Sequence, residues 1–310
     1  MLKLLVTLCL AAMPAAAQAG DGGKDPYMNA LTRELERSVA GLKNAEKTPM
    51  YYLGYELWAS RMHYMSAKLG ALESDYDSDS DKLDIDVRVN AMALDNTHQV
   101  KGGNSWARYT QPVDMPVSME GDEDALRARI WEYTDKAFKK AEASFTKVQM
   151  NKAVTAAEDD PSPDFSPAPA EKFYETVTLQ RPDMDAWRAR LKKYSQMLAG
   201  YGFIYDSNVS LQWENENRYL VNSDGTRVKT GNNYITLRYT LTSRTTDGME
   251  LRRGDYYNTD TFEKLPSDEK VTADIQRSIN ELKALKGSQV VEPFSGPAIL
   301  KGRAAGVYFH

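Results

Sequence analysis

The segment Leu83-Asp-Ile-Asp-Val-Arg-Val89 alternates without a break between apolar and charged side chains. A period of two suits a strand that buries one face and wets the other, and a helix cannot produce it. Such a strand must lie in a sheet whose apolar face something else covers. Further tracts have the same character. Residues 50–58 and 61–74 are rich in Tyr and read as two paired strands. Residues 204–213, 218–221, 233–243 and 249–257 read as four more. Ser223-Asp-Gly-Thr226 and Thr246-Asp-Gly-Met249 are hairpin signals, because Asp-Gly supplies the positive φ that tight turns need.

The cover comes from helices. Asp25-Pro26 is an N-cap and first-turn pair, and Leu31, Leu35, Val39 and Leu42 follow on one helical face. A long helix is expected over 122–150, striped by Leu126, Ile130, Phe138, Ala141, Phe145 and Val148, with acids at its start and lysines later. Two more are expected over 183–199 and 268–286, the last closed by Gly287. Residues 159–170 hold four prolines among acids and small residues, which makes them the best linker in the chain. The order is helix, strands, helix, linker, helix, strands, helix. That predicts an α+β fold of two strand-rich lobes with flanking helices: a domain over 20–158, the linker, a second domain over 171–287, and in 288–310 the start of a third.

The first nineteen residues are of a different kind. Lys3 is the only charge, residues 4–13 are apolar, and Ala17-Gln18-Ala19 is a small-x-small cleavage site. This reads as a secretory signal peptide, since the apolar core is too short for a bilayer span. Its removal would take away Cys9, the only cysteine, and make the formal net charge of −5 one unit more negative. An exported chain without cysteine relies on its core instead of disulfides. Net acidity gives no electrostatic footprint for nucleic acid or anionic lipid. The periplasm or the extracellular space is the expected location.

Candidate site residues are few. His63 sits between Met62 and Tyr64 in an aromatic strand and reads as a packed or rim histidine. His98 follows Asp-Asn-Thr and reads as a loop residue bonded locally. Asp75, Asp77, Asp79 and Asp81, with Asp86 beyond, imitate a calcium-loop spacing. However, Ser80 stands where that loop needs Gly and Asp86 where it needs Glu, so a solvated hairpin tip is the simpler reading. No phosphate-binding loop or serine-hydrolase elbow occurs, and the scattered carboxylates nominate no catalytic pair.

The most specific segment is Glu292-Pro-Phe-Ser-Gly-Pro-Ala-Ile-Leu-Lys-Gly-Arg-Ala-Ala-Gly-Val-Tyr-Phe-His310. Its small, apolar run at 304–309 reads as the opening of a buried helix, or else as an apolar tail tucked into a groove. The segment resembles the start of the active-site helix of TldD/PmbA-type zinc metallopeptidases, in which that helix runs from His into Glu, three variable residues and a second His, with a distant Cys. Residues 83–98 resemble the first domain of an exported branch of that family, and Arg218-Tyr-Leu-Val-Asn-Ser-Asp-Gly-Thr226 resembles its middle-domain hairpin. The resemblance implies a zinc cofactor in the complete enzyme, His310 as first zinc ligand, extended or unfolded peptides as substrates, and a dimer with itself or a related subunit. Without the Glu, second His and Cys, no catalytic residue is assigned, no tight zinc binding is expected of this chain, and the expectation is a metallopeptidase cut before its site is complete. The alternative is a non-catalytic binding or assembly subunit that partners an active enzyme. Protein recovered from its native host should lack residues 1–19. Intact-mass measurement checks this, and a mass retaining Met1 to Ala19 would refute export.

Overall fold

The computed structural model describes residues 25–45, 48–100, 112–116, 121–154, 162–175, 177, 180, 182–289 and 292–310. The proposed signal peptide lies outside these residues, as does part of the Pro-rich stretch. Helix α1 (Pro26–Leu42) precedes β1 (Met50–Lys68), β2 (Ala71–Ala91), β3 (Leu94–Asp95) and β4 (Val113–Met115). Next come α2 (Glu123–Val154), β5 (Lys172–Tyr174), α3 (Met184–Ala199), β6 (Ile204–Asn222), β7 (Arg227–Arg244) and β8 (Glu250–Thr259). A 3-10 turn at Phe262–Lys264, α4 (Asp268–Lys286) and α5 (Arg303–Tyr308) complete the chain. The strands form one sheet in the order β3-β2-β1-β6-β7-β5, with β4 beside β2 and β8 beside β7. Pairing is antiparallel except between β5 and β7. The fold is α+β, as the alternation and helical stripes predict.

Local chemistry sets the element ends. Asp25 accepts from the N–H groups of Tyr27 and Met28 at the start of α1. Asp183 does the same for Ala186 in α3, and Ser267 for Lys270 in α4. Asp268 and Glu269 lie in the first turn of α4 and Lys283 and Lys286 in its last, opposite in sign to the helix dipole at each end. Between β6 and β7, Asn222 Oδ1 accepts from Asp224 and Thr226, while Gly225 turns the chain at φ 102°.

Several strands are longer than alternation alone predicts. Residues 50–58 and 61–74 are not two paired strands. Ala59-Ser60 holds neither Gly nor Pro and no positive φ, so β1 runs on to Lys68, and the chain reverses at Leu69 and Gly70, both at positive φ. The acidic run from Asp75 is therefore not a hairpin tip: it lies within β2, paired to β1 from Arg61↔Asp79 to Met65↔Asp75. Likewise 204–213 and 218–221 are one strand, β6, continuous through Glu214-Asn-Glu-Asn217. The apolar run at 304–309 is helical but not buried. Val307, Tyr308 and Phe309 are exposed, and α5 leans on β8 through Arg303, which pairs with Asp255 and stacks on Tyr256.

Odd-numbered β1 residues face the helices. Leu53, Tyr55, Leu57 and Ala59, with Leu83, Ile85, Val87 and Val89 of β2 and Tyr219 and Val221 of β6, pack beneath α1 and α2. Met65 and Ala67, with Val209, Leu211 and Trp213 of β6 and Ile235 to Leu241 of β7, pack beneath α3 and α4. Two apolar cores thus occupy opposite ends of one sheet face, joined through β1 and β6, which run under both.

The described part of the Pro-rich stretch is anchored. Asp164 Oδ2 accepts from the Asp95 N–H at 2.8 Å, and Oδ1 lies 2.6 Å from His98 Nδ1. The Phe165 N–H donates to Met92 O, and the Arg88 guanidinium sits over the Phe165 ring at 3.4 Å. The His98 ring therefore reaches a residue 66 positions away, while its backbone N–H bonds locally to Asp95 O at 3.3 Å. Asp164→Ala should lower stability by about 1–2 kcal/mol, the cost of leaving buried donors unpaired, while Ser166→Ala should leave it unchanged. Urea unfolding of both variants checks this.

Candidate functional site

Three rows of side chains lie where the two cores meet on the helix-bearing face. The register aligns Ala59, Asp81, Asn217 and Gly231 in the first row, then Arg61, Asp79, Asn215 and Asn233, then His63, Asp77, Trp213 and Ile235. These positions have the parity of the core, yet most are polar. They form a belt across β2, β1, β6 and β7.

Partners are built in along the belt. The Tyr27 hydroxyl of α1 donates to Asp81 Oδ2 at 2.5 Å, Arg61 Nη1 donates to Asp81 Oδ1 at 2.6 Å, and Arg61 Nη2 donates to the Tyr27 oxygen at 3.0 Å. Asp81 is 1% exposed, so this triad satisfies a carboxylate that would otherwise be costly to bury. Asn217 Nδ2 donates to Asn215 Oδ1 at 2.7 Å and Asn215 Nδ2 to Asn233 Oδ1 at 2.9 Å, an amide ladder from β6 to β7. His63 lies between Asp77 and Asp75, with Nδ1 2.7 Å and Nε2 2.8 Å from their oxygens. Its ring stacks on Trp213 at 4.5 Å. Asp75 Oδ2 accepts from Arg188 Nε of α3 at 2.5 Å. The hydrogen bond from Arg188, and then that from His63, hold the Asp75 carboxyl below the usual carboxylate range despite its burial.

At the β7 end the belt opens into a cleft of about 730 Å³ lined by Glu175, Gln180, Gly231, Asn233, Asp260 and Phe262, among others. Its carboxylates and amides offer hydrogen bonds to amide N–H and cationic groups. The arrangement suits holding a polar chain more than bond cleavage. Both nitrogens of His63 face carboxylates, so neither is turned toward a substrate proton.

The structure scatters the sequence-derived candidates. His63 is in β1, His98 in the turn after β3, and His310 follows α5 on the surface. Among the described residues, no group of three or more His, Cys, Asp or Glu could hold a metal ion. One exposed imidazole does not fit the three-ligand set that hydrolytic zinc needs. Asp75 and Asp77 clasp His63 instead of forming a cation loop, and Asp86 pairs with Arg88. Reasoning from the sequence missed Arg61, Arg188, Trp213 and the Asn ladder. The available signal was a break in parity: polar residues at 61, 63, 215 and 217, where the odd positions on either side are apolar.

No family model matches the chain, and no curated protein matches it. Solved structures do. A candidate modulator of a DNA gyrase from Thermotoga maritima is similar at 13% identity and a TM-score of 0.49, over 84% of this chain and 50% of that one. TldE from Thermococcus kodakarensis is similar at 13% identity and a TM-score of 0.46, over 82% and 47%. A candidate modulator of DNA gyrase from Bacteroides thetaiotaomicron is similar at 8% identity and a TM-score of 0.49, over 85% and 51%. The chain spans about half the length of the solved proteins it matches.

The depressed Asp75 carboxyl sets a pH dependence. A group whose folded pKa is lowered adds stability above its unfolded value and loses it as pH falls through the folded one. Arg188→Ala should therefore lower the urea midpoint at neutral pH, and its difference from the parent should shrink as acid protonates Asp75. Unfolding curves across the acid range check this; a constant difference would mean the contact acts only by packing.

Proposed function

We propose that this chain is part of an exported TldD/PmbA-like metallopeptidase that acts on extended or unfolded peptides, and that by itself it is inactive. The observation that carries this reading is the ordered resemblance of three segments: residues 83–98, the hairpin Arg218 to Thr226, and the run from Pro293 to His310. The fold is compatible with it. Long antiparallel strands can hold an extended peptide by main-chain hydrogen bonds, and the polar belt with its cleft supplies side-chain contacts. Dimerisation with a second copy or a related subunit, and a periplasmic location, belong to the same proposal.

His310 would be the first zinc ligand of such an enzyme, with zinc supplying the Lewis acid and the activated water. The residues described around His310 do not complete that set, so no catalytic step is assigned to them. Hydrolysis of an unstructured reporter peptide by the purified chain, with and without zinc and with a chelator, should show no turnover. Chelator-sensitive turnover that disappears in His310→Ala would overturn the expectation of inactivity. Activity in a protein that also carries the Glu, second His and Cys of the family motif would support the peptidase reading. Silence there too would favour the non-catalytic partner subunit.

A further inference from the structure

Two strands share the outer edge of β7. Its inner edge pairs with β6 from Arg227 to Ser243. On the outer edge, β5 takes Arg227 to Lys229 and β8 takes Ile235 to Arg244. Between them, Gly231, Asn232 and Asn233 line the cleft of about 730 Å³, so the cleft continues the track that β5 begins. Among the described residues β5 is the one strand paired in parallel, and it contributes three residue pairs.

The main chain holds β5 in place. The Arg227 N–H donates to Glu171 O at 2.8 Å and the Glu175 N–H to Lys229 O at 3.0 Å. Lys172, Phe173 and Glu175 are exposed, and of that run only Tyr174 turns partly inward. The ladder then breaks off. Parallel strands bond at every second residue, so the Gly231 N–H should meet the Glu175 carbonyl. It donates instead to the Glu175 side chain, at Oε2 and 3.3 Å. A carboxylate oxygen thus stands where the carbonyl of a continuing strand would sit. The segment leading to β5 is exposed from 166 to 173, but behind it Asp164 and Phe165 are fixed to Asp95, Met92 and Arg88. Release of β5 would expose little apolar surface and would leave this strap attached.

A segment of this kind can serve simply to cover a sheet edge. The unfinished ladder points further. We propose that residues 171–175 are a built-in stand-in for a ligand: the outer edge of β7 from Arg227 to Gly231 is a strand-addition site for an extended peptide of another molecule, which displaces β5 and supplies the missing carbonyl at Gly231. Recognition there is by main-chain hydrogen bonds, so the site tolerates many side chains, and the bound strand leads toward the cleft. The strap competes with the ligand, so it lowers the apparent affinity by the fraction of time that it holds the edge. Only the ligand class, an extended peptide, is taken from the peptidase reading. Binding is measured without turnover, so absent hydrolysis leaves the strand site standing, and absent displacement leaves the peptidase reading untouched.

Fluorescence anisotropy and hydrogen–deuterium exchange of the full chain test this, with a labelled peptide of the sequence of residues 169–175 as the probe. The probe should lower protection over 172–175 about tenfold, while Arg227 to Lys229, paired anew to the probe, keep theirs. Glu175→Pro removes both the bond to Lys229 and the carboxylate at Gly231, from an exposed position, and should bind the probe about tenfold more tightly than the parent. A probe N-methylated at the residues matching Phe173 and Glu175 lacks the donors and should bind neither protein. Equal affinity of parent and Glu175→Pro, binding that leaves 172–175 protected, undiminished binding of the methylated probe, or no binding by either protein would each overturn the strand-addition site.

Discussion

The rest of the structure depends on the pairing of β1 with β6. That ladder runs from Gly54↔Asn222 to Ala67↔Val209 and, among the described residues, is the only long join between the hairpin β1–β2 and the hairpin β6–β7. Its register decides which residues of all four strands share a face. A slip of one position would turn Leu53, Tyr55, Leu57, Met65 and Ala67 to the open side of the sheet and bring Glu56, Trp58 and Ser60 under the helices. Both cores hang on that one alignment, which Ser223 ties down twice: its N–H donates to Leu53 O at 2.8 Å, and its Oγ accepts from the Leu53 N–H at 3.1 Å.

Between the cores, the belt trades burial energy for specificity. Apolar residues at 61, 63, 215 and 217 would merge the two cores and gain hydrophobic stabilisation. Polar groups in those places need partners, and they find them only in one register: Arg61 with Asp81 and Tyr27, Asn215 with Asn233, His63 with Asp75 and Asp77. A misaligned sheet would strand these groups without hydrogen bonds, at a cost of about 1–3 kcal/mol each. The belt therefore penalises wrong pairings as well as shaping a groove. Its chemistry at the β7 end, where amides and carboxylates line the cleft, continues the pattern of the strands instead of being added by a separate loop.

Much of this was legible in the residues. Leu83 to Val89 alternate, and all four apolar positions are buried. Asp25-Pro26 and Asp-Gly in both hairpin turns mark their elements by local chemistry, and the structure places those elements there. Strand lengths were not legible, because the apolar alternation stops where the polar residues of the belt begin. Arg61, His63, Asn215 and Asn217 look like surface residues in any local window. For Arg61, His63 and Asn215, only distant partners, from 12 positions away for His63 with Asp75 to 34 for Arg61 with Tyr27, make them interior. The acidic run misled for the same reason: without knowledge of the facing His63 and Arg188, a row of aspartates reads as a water-exposed tip. The helix at 303–308 was foreseen, but its exposure was not, since burial depends on a covering surface that no local pattern supplies.

The two hairpins have a consequence for how such a chain leaves the ribosome or a translocation channel. Each hairpin is local and can close soon after its second strand emerges, but the contact between Leu53 and Ser223 spans 170 positions. Until that much chain has been made, the long inner edge of β1 has no neighbour, and its unpaired amides can accept any passing strand. The order of synthesis thus leaves a half-built sheet waiting for its other half, and a holding chaperone during that interval would protect this protein more than a faster first hairpin could.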